Sequence, residues 1–191
     1  MKIAIILGSV REERKTHLIC FYVAEQLSKI PGVSLQLIDL ADVRLPILTQ
    51  RWQQQSEPDE SLVDTGTILQ EADGIIFASP EYHGSYTGVL KNAIDHYWEE
   101  FKRKPIGVIS AGAGKMGGIN GSLQLQHLIL SLGAYPMPYK LLVPFIKNAF
   151  DEDGQPKSEE LVSQTQAFIK EFLWFTKAIS QASKVAVESQ P

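Results

Sequence analysis

The chain of 191 residues is 44% apolar and 21% charged, with a formal net charge of −4 at pH 7. That length suits one domain with a self-sufficient core, and the acidic balance gives no reason to expect nucleic acid or an anionic membrane as a general partner. One cysteine, Cys20, excludes an internal disulfide and leaves too few thiolates for an iron–sulfur cluster or a cysteine-rich zinc site.

The chain alternates strand-like and helix-like segments. Lys2–Leu7 is a nearly continuous apolar run, as a central parallel strand covered on both faces requires. It breaks at Gly8-Ser9, and Thr16–Lys29 reads as the first helix, ending before Pro31-Gly32. Cys20 falls among Leu18, Ile19 and Phe21 and reads as a buried structural thiol. Val33–Asp39 alternates in polarity and suits a strand nearer an edge. Asp42–Glu60 is irregular and rich in glutamine, and a loop of that length implies a job; Trp52 within it suits a lid or a subunit contact. Leu62–Glu71 is a short helix and Gly74–Ala78 a buried strand.

After that strand comes a loop with Pro80, Gly84 and Gly88. The helix that follows places Val89, Leu90, Ala93, Ile94, Tyr97, Trp98 and Phe101 on one face. Lys91, Asn92, Asp95, His96, Glu99 and Glu100 take the other. Pro105–Ser110 is a fourth strand, Ser122–Leu132 a helix, and Ala134–Pro144 a proline-broken fifth strand. Asn148–Pro156 turns around Asp153-Gly154, and Leu161 to Leu173 outlines a last amphipathic helix. One domain over 1–180 is expected, with 181–191 a flexible tail. Five strands alternating with helices argue a three-layer α/β sandwich.

In such a sheet, small ligands bind where loops leave the carboxyl ends of the strands. Three loops there carry chemistry. Gly8–His17 gathers Arg11, Arg14, Lys15 and His17 beside the hydroxyls of Ser9 and Thr16 at a helix start, a setting for a phosphate dianion. It matches neither the P-loop nor the Gly-x-Gly-x-x-Gly pattern, and a solvated helix start capped by Thr16 is the plainer alternative. Pro80-Glu81-Tyr82-His83 offers backbone and aromatic surface for a flat ring; alternatively it is a turn with Tyr82 on the core and Glu81 in solvent. Ser110–Gly121 holds five glycines in twelve residues, which permits close approach and aims N–H groups at a ligand, or forms only a surface loop. No Ser/His/Asp or Cys/His triad signature occurs, and His127 lacks partners at ligand spacing, so neither a side-chain nucleophile nor a metal is expected.

Pro80-Glu81-Tyr82-His83 followed by Gly88-Val89-Leu90-Lys91-Asn92-Ala93-Ile94-Asp95 resembles the NADPH-dependent FMN reductase family, with a second anchor at Gly8-Ser9 and Arg11. The resemblance covers roughly residues 2–175. It implies a flavodoxin-like α/β/α sandwich with a five-stranded parallel sheet in the order 2-1-3-4-5. It also implies bound FMN, with NAD(P)H as co-substrate. A hydride would pass through the flavin to a small-molecule acceptor such as free flavin, a quinone or an azo compound. Carried onto this chain, the family pattern assigns the phosphate to Ser9, Arg11, Thr16 and His17. It assigns the ring to Pro80, Glu81, Tyr82 and His83, and the pyrimidine side to Ser110, Ala111 and Gly112. Many relatives have Asn where His83 stands, and an Arg in the helix where this chain has only Gln124, Gln126 and His127. A homodimer or homotetramer is implied as well. The rival readings are a flavodoxin-like carrier of single electrons and a non-redox binding module. The run Ile3–Leu7 is too short for the core of a signal peptide and no run reaches transmembrane length, so a cytoplasmic protein is expected.

Overall fold

The structure, a computed structural model, describes residues 1–188. Its elements are β1 (Lys2–Leu7), α1 (Thr16–Ser28), β2 (Ser34–Asp39), a 3-10 turn (Trp52–Gln54), α2 (Glu60–Glu71), β3 (Gly74–Pro80), α3 (Gly88–Asp95), β4 (Pro105–Ala111), α4 (Ile119–Ser131), β5 (Tyr135–Val143) and α5 (Glu159–Glu188). The five strands form one parallel sheet in the order β2-β1-β3-β4-β5. The expected order is the observed one. β2 lies at an edge, as its alternating pattern required.

The period-two rule explains the layers. Ile3, Ile5 and Leu7 of β1 pack with α1 and α5, whereas Ala4 and Ile6 pack with the layer built from α2, α3 and α4. β3 and β4 are buried along their full lengths, which is why they read as unbroken apolar runs. Cys20 is fully buried in the α1–α5 layer, and burial pushes its thiol pKa far up. β5 slips register against β4 between Ile106 and Val108, and Pro136 and Pro138 accompany the irregularity. Helix α5 runs on through Glu188, so the segment expected as a tail from about 180 is helical that far; residues 189–191 lie outside the described residues.

Two expectations change around the long loop. Helix α3 stops at Asp95, and the next turn buries His96 and Glu100 while Trp98 is partly exposed. Glu100 receives Trp52 Nε1 at 2.9 Å, Gln53 Nε2 at 3.0 Å and the Trp98 N–H at 2.9 Å. His96 Nε2 lies 2.9 Å from the Pro46 carbonyl, Asn92 Nδ2 donates to the same oxygen, and the Leu48 N–H donates to Asn92 Oδ1. Trp52 sits over Gly66, where a Cβ would fall 2.9 Å from the indole, and beside Tyr97. Trp52 thus fastens the loop to the domain.

Candidate functional site

Three loops meet at the carboxyl ends of β1, β3 and β4, which are neighbours in the sheet. Thr87 joins the first to the second. Its hydroxyl donates to the Gly8 carbonyl at 2.7 Å and accepts from the Leu90 N–H, capping α3. Gly8 has to be glycine here, because a Cβ would fall 2.6 Å from that of Leu90.

In the first loop Ser9 and Thr16 are buried and Arg11 is exposed. Arg14 departs from the sequence expectation. Its guanidinium is spent on Asp39, at 2.6 Å through Nη2, and on the Ser9 carbonyl at 2.6 Å. Asp39 faces Leu7 across the β1–β2 ladder, so this pair pins the loop to the sheet. Thr16 is the first helical residue, not the cap. Lys15 holds the cap position of α1, and no side chain bonds the helix start there. By contrast α2 is capped by Asp59 and α3 by Thr87. His17 Nδ1 is buried with no hydrogen-bond partner among the described residues. Burial, then the Arg14 charge, hold the His17 pKa below its ordinary value. An uncapped helix start and an unpartnered imidazole nitrogen, with the exposed Arg11 in the loop that leads to them, fit a phosphate.

The second loop begins at Pro80, the last residue of β3. Tyr82 and Ser85 exchange backbone hydrogen bonds of 2.8 and 3.1 Å around His83 and Gly84, whose φ values are +52° and +77°. Two successive left-handed residues define a type I′ turn. His83 tolerates that conformation better than most side chains. The Arg11 guanidinium lies 5.6 Å from the centre of the Tyr82 ring, bringing two expected site residues together across the loops. Glu81 is not turned to solvent. Its carboxylate accepts the Gly121 N–H at 2.9 Å and Asn120 Nδ2 at 3.4 Å, in the first turn of α4. It acts on that helix as an acidic side chain does near any N-terminus.

In the third loop Ser110 and Ala111 end β4, both buried. The Ser110 hydroxyl donates to the Gly118 carbonyl at 2.8 Å, and the Gly112 N–H donates to the Val143 carbonyl at 3.1 Å. These groups shape the loop from behind. The N–H groups of Ala113, Gly114, Lys115 and Met116 have no acceptor among the described residues, and they are the donors the loop leaves open. Glycine spacing pointed to the loop but not to the part of it that stays unpaired.

The sheet order and the layering define a flavodoxin-like protein. Residues 1–148 match the family model described as NADPH-dependent FMN reductase. An FMN-dependent NADPH-azoreductase of Staphylococcus aureus is 34% identical over 160 residues, covering 81% of this chain and 82% of its own. An NADPH azoreductase of Bacillus sp. (strain OY1-2) is 27% identical over 174 residues, covering 88% and 93%. Among solved structures, FerB, a flavoenzyme NAD(P)H:(acceptor) oxidoreductase from Paracoccus denitrificans, shares the fold with a TM-score of 0.78. It is 23% identical and covers 93% of this chain and 97% of its own. The chain belongs to the NADPH-dependent FMN reductase family. It is an NAD(P)H oxidoreductase with FMN as its bound cofactor.

Proposed function

We propose that FMN lies across the three loops, with its phosphate at the start of α1 and its ring against Pro80–His83. The observation that carries this is the uncapped start of α1 beside the buried, unpartnered His17 Nδ1. Ser9, Arg11, Thr16 and His17 bind the phosphate. Tyr82, with Arg11 over its ring, sets the spacing between phosphate loop and ring loop. Pro80 and His83 present backbone to the ring edge, and Glu81 steadies that loop through α4. Ser110, Ala111 and Gly112 position the glycine-rich loop, whose open N–H groups stabilise negative charge on the reduced ring. When bound, FMN supplies the redox chemistry, accepting a hydride from NAD(P)H and delivering electrons to the acceptor. The chain itself supplies binding, orientation and electrostatics; no side chain is needed as nucleophile.

Azo compounds are the acceptors most directly supported, since the curated relatives described above are azoreductases; free flavin and quinones belong to the same reading. No helix among the described residues is long and apolar enough to cross a membrane, which supports work in the cytoplasm. Exposed Leu123 and Leu130 on α4 support a homodimer or homotetramer. One FMN-binding domain spans 1–180.

The test is an anaerobic absorbance spectrum of the protein with FMN and then NADPH. Bleaching of the bound flavin within the mixing time is the expected result. Bound flavin that NADPH leaves coloured overturns the reductase reading, and no uptake of FMN overturns the site.

A further inference from the structure

A cleft of about 630 Å³ opens between the second half of β5, the glycine-rich loop that follows β4 and the start of α5. It shares the glycine-rich loop with the candidate flavin site, taking Lys115 and Met116 from it, but its other walls play no part in the assignments above. Three lysines line it, Lys115, Lys140 and Lys157, against one carboxylate, Glu160. In a chain with a net charge of −4, that is a local reversal of sign. Lys140 is engaged by the neutral amide of Gln126 at 3.1 Å, and Glu160 offsets only one of the three ammonium charges, so the lining stays net positive.

The cleft also has aromatic walls. Tyr139 and Phe145 are 40% and 54% exposed. Phe145 has a φ of +48°, a conformation that a bulky side chain adopts only at the expense of backbone strain. Hydrogen bonds hold it there: its N–H donates to the Gly114 carbonyl, the Ile146 N–H to Gly112, and the Asn148 N–H to the Phe145 carbonyl. The fold thus spends strain to keep an apolar ring in solvent, directly against the glycine-rich loop. A ring platform beside ammonium groups that have no carboxylate partner selects a flat ring that carries an anion.

We propose that this cleft binds the 2′-phosphoadenosine end of NADPH, with Lys115 and Lys157 on the phosphate and Phe145 under the adenine. The assignment rests on the placement of FMN over the adjoining loops. The cleft borders the glycine-rich loop itself and lies along β5, two strands from β3, and neighbouring strands lie about 4.8 Å apart, so it is within the span of a dinucleotide from the flavin loops. It gives this chain a cationic phosphate contact where α4 offers only Gln124, Gln126 and His127. A sulfonated aromatic acceptor shares the same chemistry, an anion on a flat ring, and the experiment separates the two.

The experiment is calorimetric titration of the FMN-loaded protein with 2′,5′-ADP and with 5′-AMP. The expected result is at least tenfold tighter binding of 2′,5′-ADP. Lys115→Ala combined with Lys157→Ala, both exposed positions, removes that difference and lowers the NADPH/NADH ratio of kcat/KM by at least tenfold. Phe145→Asn suits the left-handed backbone, so it raises Tm while weakening both nucleotides. Equal binding of the two nucleotides, or a preference that survives the double substitution, overturns the assignment. So does a naphthalenesulfonate that binds in the cleft and is not displaced by 2′,5′-ADP. Retained FMN uptake with no 2′,5′-ADP preference sinks the cleft alone, whereas failure to take up FMN sinks the flavin site beneath it.

Discussion

The loop from Asp42 to Asp59 and the loop from Gly8 to Lys15 are both irregular, polar and close to strand ends, yet they are built on opposite plans. In the first, side chains close the loop onto α3 and the turn after it: Asn92, His96 and Glu100 each answer a group in it. In the second, Arg14 ties down one flank and the rest is left open, with an uncapped helix and a buried nitrogen that has no partner. Irregular backbone is therefore no sign of a binding site. The sign is unused polar capacity gathered in one place, here an uncapped helix start together with His17 Nδ1; a single buried atom without a partner is not enough, since His96 Nδ1 beside the closed loop also lacks one.

Glu100→Ala tests the closed plan most severely. It strips three donors of one buried acceptor, and a loss of roughly 2–4 kcal/mol in urea denaturation is expected, with FMN affinity nearly intact. A change below 0.5 kcal/mol, or lost FMN binding with stability kept, would break the contrast. Arg11→Ala tests the open plan, and the expected pattern is the reverse. FMN binding, followed by fluorescence quenching, weakens by about 1–3 kcal/mol while the stability of the FMN-free protein moves by less than about 0.5 kcal/mol. Unaltered FMN affinity would remove Arg11 from the site.

The smallest effect is a titration. In the FMN-free protein the His17 pKa lies below the unfolded value, so this group costs stability as pH falls through about 6.5, where the unfolded chain takes up a proton and the folded chain resists. A phosphate dianion beside it reverses the sign and raises the pKa. Imidazole proton shifts followed by NMR should show the His17 midpoint moving upward on adding FMN. A midpoint that does not move places the phosphate elsewhere.

Much of this was legible in the chain. The buried strands announced themselves as apolar runs, and the three loops fell at the correct end of the sheet because strand and helix alternate. The misreadings share a cause. His96 and Glu100 continue the polar face of α3 at helical spacing, and no glycine or proline marks the end at Asp95; the groups that draw them inward lie in a loop some 50 residues earlier. Arg14 reads as one more cation until β2 brings Asp39 to it. Glu81 reads as solvated until α4 presents its first turn. Each turns on a partner distant in sequence, and periodicity carries no information about such partners.

Cys20 is a core residue whose position has a practical meaning. It is the only thiol of the chain, it is sealed within the α1–α5 layer, and its pKa is far above neutrality. Neither an oxidant nor an electrophile meets a thiolate on the folded protein. Reaction there has to wait for the core to open, so the rate at which a maleimide consumes the single sulfur is a clock for that opening, running inside every molecule without an added label.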